Sequence, residues 1–264
     1  MITRAELQRI AGREKIGLGV LEKDYVITEA LRGLSAVRLM SSAFIFKGGT
    51  ALRKAYFPQW RYSEDLDFTV TEEFPRPNLE GSLHEWYGVV EANCGVRLTT
   101  RDLHIPNGFA RLRVQFQGPL GQPATIFIDL TFDEPVLVPP VSREILTQPF
   151  MLAPAVLLVY ALEELAAEKL RSILERGKSR DFYDVWRLLR DHAGALDLTL
   201  TQQLYRRKCA HKGLENSGID ALLAPRRLAE AERYWDADLA RQLGGLPPFR
   251  TMTTELRGFL DGFL

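Results

Sequence analysis

Two acids one residue apart, Asp65 and Asp67 in the string RYSEDLDFTV, are the most openly chemical feature of this chain. Extended backbone sends alternate side chains to opposite faces, so Ser63, Asp65, Asp67 and Thr69 share one face while Leu66, Phe68 and Val70 share the other. Neighbouring carboxylates repel unless a cation lies between them, and a hard divalent ion such as Mg2+ or Mn2+ suits oxygen ligands. Just upstream, the apolar run Phe44, Ile45, Phe46 leads into Lys47, Gly48, Gly49 and Thr50. Glycines let backbone approach a ligand closely, and the N–H groups that open a following helix attract phosphate. Either part alone has a plain reading, as an ordinary turn or as the solvated face of an edge strand. Their combination at this spacing reads as nucleotide handling.

The elements that must hold these residues follow from periodicity. Helices are expected over 4–12 and 21–35, the second opening on Glu22, Lys23 and Asp24, a trio that reads as a solvated helix start. A helix over 79–93 and strands over 96–101, 110–117 and 124–132 follow the acids. In TIFIDLTF the alternation sets Asp129 on the less apolar face, where it is either a solvated strand residue or a third carboxylate beside the first two. Prolines at 135, 139, 140, 149 and 154 argue for a linker or an arm crossing a surface. Beyond it, helices are expected over 155–176, then from a Ser179 cap, and near 200–212, 225–242 and 252–263. An α/β half to about residue 150 thus precedes a helical half, 151–264.

The helical half holds a second group of charges. Lys169 lies within an apolar stripe of Ala166, Leu170 and Ile173, where a lysine either snorkels or pairs with an acid a turn away. Asp181 is explained by the positive start of its helix, but Asp184 is flanked by apolar neighbours. On adjacent antiparallel helices Lys169 and Asp184 would meet. Two basic stretches, 169–190 and YRRKCAHK with Arg206, Arg207 and Lys208, are either solvated helix faces or contacts for nucleic-acid phosphates.

Composition bounds the remainder. The 264 residues, 46% hydrophobic and 26% charged with no formal net charge, describe an ordinary globular protein without a global field for nucleic acid. Two cysteines without metal-ligand spacing and an N-terminus without an apolar signal core predict a cytoplasmic protein. The longest apolar run is too short for a membrane span.

The strings GGTALRKAYF and RYSEDLDF, followed by a strand aspartate, EKL and RDFYD in that order, resemble the AbiEii/AbiGii nucleotidyltransferase toxins from residue 22 to about 190. The resemblance implies an α/β polymerase-β-like core, a mixed sheet with flanking helices, followed by a helical domain that completes the site and binds the acceptor. It implies Mg2+-dependent transfer of a nucleoside monophosphate from an NTP to an RNA acceptor, the tRNA 3′ end foremost, in a toxin with a cognate antitoxin and a role in phage defence. Asp65 and Asp67 would then hold metal with Asp129 assisting. Lys47, Gly48, Gly49, Thr50 and Ser63 would hold the triphosphate. Lys169 and Arg180 would offset its charge, and Asp184 would match the family's essential helical aspartate. A transferase acting on a protein or small molecule, and a non-catalytic NTP- or RNA-binding module, are the rival readings.

Overall fold

The computed structural model describes residues 1–105, 108–214 and 218–264. The chain folds as two compact units, Met1–Tyr160 and Ala161–Leu264. The first begins with α1 (Arg4–Glu14), α2 (Leu18–Ala36) and α3 (Arg38–Ala43), then β1 (Phe44–Lys47). A capping box fixes the start of α1: Glu6 N–H donates to the Thr3 hydroxyl, and the Thr3 N–H donates to the Glu6 carboxylate. The diglycine opens α4 (Gly48–Ala51), which widens into a π-helical turn over Leu52–Tyr56, and β2 (Asp65–Val70) carries the acids. After α5 (Leu79–Cys94) come β3 (Arg97–His104), β4 (Phe109–Gln117), β5 (Pro123–Thr131), β6 (Val141–Glu144) and β7 (Val156–Val159).

These strands form one seven-stranded mixed sheet in the order β3-β4-β5-β2-β1-β7-β6. Strands β2 and β5 run parallel, as do β1 and β7, while the other neighbours are antiparallel. One sheet face is greasy throughout: Leu66, Phe68, Leu112, Val114, Phe116, Ile126, Ile128 and Leu130 are buried. Trp86 of α5 packs edge-on against Phe68 at 6.4 Å, and its indole N–H donates to the Ala30 carbonyl of α2 at 2.7 Å. Burying a side chain of that size stabilises by about 1.5–3 kcal/mol, so this layer fixes β2 from behind.

The second unit comprises α6 (Leu162–Glu175), α7 (Ser179–Asp191), α8 (Leu198–His211), α9 (Ile219–Leu222), α10 (Pro225–Leu239) and α11 (Phe249–Asp261). Apolar stripes on α7, α10 and α11 bury Phe182, Trp186, Trp235 and Leu256. Trp235 meets Tyr183 and Phe249 with ring centroids 6.2 and 5.2 Å apart.

Three expectations change. The proline-rich stretch is no simple linker, because β6 lies within it and the compact unit runs to Tyr160. The helix expected from residue 155 starts at Leu162: Val156–Val159 is instead β7, whose β-branched ends suit the pleat between β1 and β6. Ser179 does not cap α7. Lys178 occupies that position, and the buried Ser179 hydroxyl donates to the Ala231 carbonyl of α10 at 2.9 Å.

Candidate active site

Register brings the first set of predicted residues into one row. Lys47 of β1 lies opposite Asp67 of β2, and Asp67 lies opposite Asp129 of β5. Asp65, one pleat earlier on the same face, is opposite Phe127. Asp65 and Asp67 are half-buried, with Leu66 and Phe68 fully buried between and beyond them. The expected alternation of the strand therefore holds, although β2 begins at Asp65 and leaves Ser63 just ahead of it.

The glycine turn is shaped around Asp67. Gly48 has φ +81°, and a Cβ placed there would lie 2.0 Å from Asp67 Oδ2. Only glycine can occupy that position while Asp67 keeps its place. We expect Gly48→Ala to lower the nucleotide transfer that the family resemblance implies by on the order of a hundredfold while the protein still folds, since the added methyl displaces the Asp67 carboxylate expected to hold metal. Transfer rates measured beside thermal unfolding check this; a near-normal rate would show that the fit of Gly48 to Asp67 has no functional meaning.

Thr50, expected at the triphosphate, joins the turn to the strand. Its hydroxyl, buried from solvent, donates to the backbone carbonyl of Asp65 and so ties the glycine turn to the acid strand. Among the described residues no group of three or more His, Cys, Asp or Glu side chains is placed to hold a metal. Asp129 is drawn toward Arg111, its register partner on β4, with Nε 3.6 Å from Oδ1.

Buried charges that the sequence reading missed brace this row. Glu22 and Asp24 are almost fully buried, so the start of α2 is not solvated. Asp24 Oδ2 accepts from Lys54 Nζ at 2.8 Å, and Arg53 Nε lies 3.5 Å from Asp24 Oδ1 with its guanidinium over the Tyr62 ring at 3.6 Å. Burial pulls the Lys54 ammonium down to about 8 despite the Asp24 carboxylate. Glu22 accepts the Leu120 N–H at 2.7 Å, and burial pushes its carboxyl up. Lys23 pairs with Glu64, inside the acid string itself. The signal was present in ALRKAY, where Lys54 falls between the core residues Leu52 and Ala55.

In the helical unit Lys169 Nζ and Asp184 Oδ2 meet at 2.8 Å, with Asp184 fully buried. The helix pair α6–α7 thus joins them as their spacing predicts. Arg176 forks onto the buried Asp181 carboxylate at 2.8 and 2.9 Å, and Arg180 is half-buried. Lys208 requires a correction. It is completely buried and bridges α8 to α6 through Glu164 at 2.8 Å and Glu168 at 3.2 Å, so it cannot contact RNA. Arg206 and Arg207 are exposed. Removing one partner of a buried pair costs about 3–5 kcal/mol, whereas exposed cations matter little. Urea unfolding should therefore show Lys208→Ala strongly destabilised and Arg206→Gln with Arg207→Gln unchanged. A wild-type midpoint for Lys208→Ala would contradict the bridge.

Comparison with known proteins identifies the family. The family model described as nucleotidyl transferase AbiEii toxin, type IV TA system, matches residues 29–255. No curated protein sequence matches the chain. Among solved structures, the nucleotidyltransferase toxin MenT4 of Mycobacterium tuberculosis is similar in fold, with a TM-score of 0.77 at 20% identity over 98% of this chain and 89% of that one. With the glycine turn, the paired acids and most of its length inside the match, the chain belongs to the AbiEii nucleotidyltransferase toxin family of type IV toxin–antitoxin systems.

Proposed function

We propose that the protein transfers a nucleoside monophosphate from an NTP to the 3′ end of an RNA, with tRNA as the first acceptor to test, and that it uses Mg2+. The observation that carries the reading is the fit of Gly48 against the Asp67 carboxylate, beside Asp65 on the same sheet face. The missing side chain at Gly48 lets the Asp67 carboxylate lie directly against the turn whose N–H groups open α4, so an acid and backbone donors suited to phosphate stand side by side. The two carboxylates are hard oxygen donors of the kind Mg2+ takes, in sites that substrate phosphates and water complete. Asp65 and Asp67 would hold the ion, which when bound supplies positive charge to the triphosphate.

The remaining work falls to the chain. Lys47, beside Asp67 in register, and the N–H groups opening α4 hold the triphosphate. The acceptor hydroxyl oxygen bonds to the α-phosphorus as the α–β phosphoanhydride breaks, and pyrophosphate leaves with the electron pair. Asp129, next to Asp67 on β5, takes the hydroxyl proton. No helix among the described residues is long and apolar enough to cross a membrane.

The test is incubation of the protein with total RNA, each labelled NTP and Mg2+, followed by sizing of the labelled species. Label on RNA of tRNA size, lost when EDTA is added, is the expected result. Label on a polypeptide would replace this acceptor with a protein, and no label with any NTP would overturn the reading.

A further inference from the structure

The sheet face that carries Asp65 and Asp67 continues beyond them as an open, arginine-rich surface. From Asp65 the register passes through Phe127 to Arg113 and Asp102; from Asp67 it passes through Asp129 to Arg111 and His104. The side chains of Arg111 and Arg113 are 47% and 48% exposed. A bulge between Thr100 and Asp102 adds a further cation. Thr100 turns to the covered side, bonding Tyr87 of α5 at 2.9 Å. Arg101 donates to Gln115 at 2.6 Å, and Arg113 donates to Asp102 at 2.9 Å, so Arg101 and Asp102 both lie on the open side.

Phe127 is the unusual residue here. Its strand neighbours on this face, Thr125 and Thr131, are what a half-solvated strand carries. A half-buried phenyl ring beside Asp65, with the Arg111 guanidinium 4.5 Å from its centroid, is not needed to cover the core, which lies on the opposite face. The Arg113–Asp102 pair is exposed and therefore weak, so that guanidinium can exchange its carboxylate for a phosphate at little cost. An aromatic platform ringed by exchangeable cations on an open sheet recognises unpaired nucleotides: bases stack on the ring, and phosphates meet the arginines.

We propose that this face is the acceptor track: the unpaired 3′ end of the RNA lies across β5, β4 and β3, its terminal base on Phe127 and its phosphates on Arg111, Arg113 and Arg101. The proposal rests on the nucleotidyl-transfer reading above and names the surface that serves it. It stands as the alternative to YRRKCAHK, where Arg206 and Arg207 are exposed but Lys208 is buried.

The experiment measures binding of a labelled single-stranded RNA with a free 3′ hydroxyl, and of the same sequence as a blunt duplex, by anisotropy across a salt series. NTP binding without RNA and thermal unfolding are measured on the same proteins. Phe127→Ala should weaken single-strand binding by about tenfold, with Phe127→Tyr close to wild type. Arg101→Gln with Arg113→Gln should lower the salt slope by about 1.4, at about 0.7 for each phosphate contact. Both should leave NTP binding unchanged, while Arg206→Gln with Arg207→Gln leaves RNA binding unchanged. The track is overturned if the sheet variants bind RNA as wild type does, if the loss follows Arg206 and Arg207 instead, or if the duplex binds as tightly as the single strand. A wild-type protein that binds RNA through Phe127 and Arg113 yet labels no RNA with any NTP keeps the track and sinks the transfer reading, so the two failures are distinct.

Discussion

Asp65→Asn and Asp67→Asn should each lower nucleotide transfer by on the order of a hundredfold or more while leaving the unfolding midpoint in place. Asparagine keeps the shape and hydrogen-bonding reach of aspartate but removes the charge on which a cation and the triphosphate would depend. Leu66 and Phe68, which fix the strand, are untouched on the opposite face, so the fold has no reason to respond. Asp67 should be the more sensitive of the two, because the glycine turn is fitted to its carboxylate. Asp129→Asn should have a smaller effect, since its carboxylate already lies beside Arg111. Single-turnover rates over a Mg2+ titration check the order. If either Asp65→Asn or Asp67→Asn transferred at a near-normal rate in saturating Mg2+, the acid pair would not be the metal-holding element.

The second large effect concerns the buried pair of the helical unit. Lys169→Met removes the ammonium 2.8 Å from the buried Asp184 carboxylate, and breaking a buried pair typically costs about 3–5 kcal/mol. The double variant Lys169→Met with Asp184→Leu removes both charges and fills the space with apolar atoms, which is often neutral or stabilising. Unfolding should thus be severely shifted in the single variant and restored in the double. We expect transfer to remain depressed in the restored protein, as a role for the charges themselves requires. Full transfer by a stable double variant would make Lys169 and Asp184 a packing pair and withdraw them from the catalytic set.

What the sequence determined by itself lies in short-range order. The pleat has a period of two, so SEDLDF alone places Asp65 and Asp67 on one face with Leu66 and Phe68 behind them, and the structure agrees. Helical spacing likewise puts Lys169 and Asp184 on stripes that meet across α6 and α7. The ordered motifs were enough for the family and for the mixed α/β fold.

Only the tertiary structure decided what depends on strand order and on burial. That Asp129 falls beside Asp67, and Arg111 beside Asp129, follows from β5 docking parallel to β2 and antiparallel to β4, a pairing no local period encodes. The VLLV segment has the apolar content of either a helix or a strand; the open edge of β1 made it β7. Charge patterns misled most. Lys208 looks like one of several cations in a basic run, and Asp24 like part of a polar helix start, yet both are buried against partners 40 and 30 residues away, Glu168 and Lys54. Sequence records that a side chain is charged, but its partner is set by which helices pack together. The low dielectric of that packing then turns an apparent surface cation into a structural one.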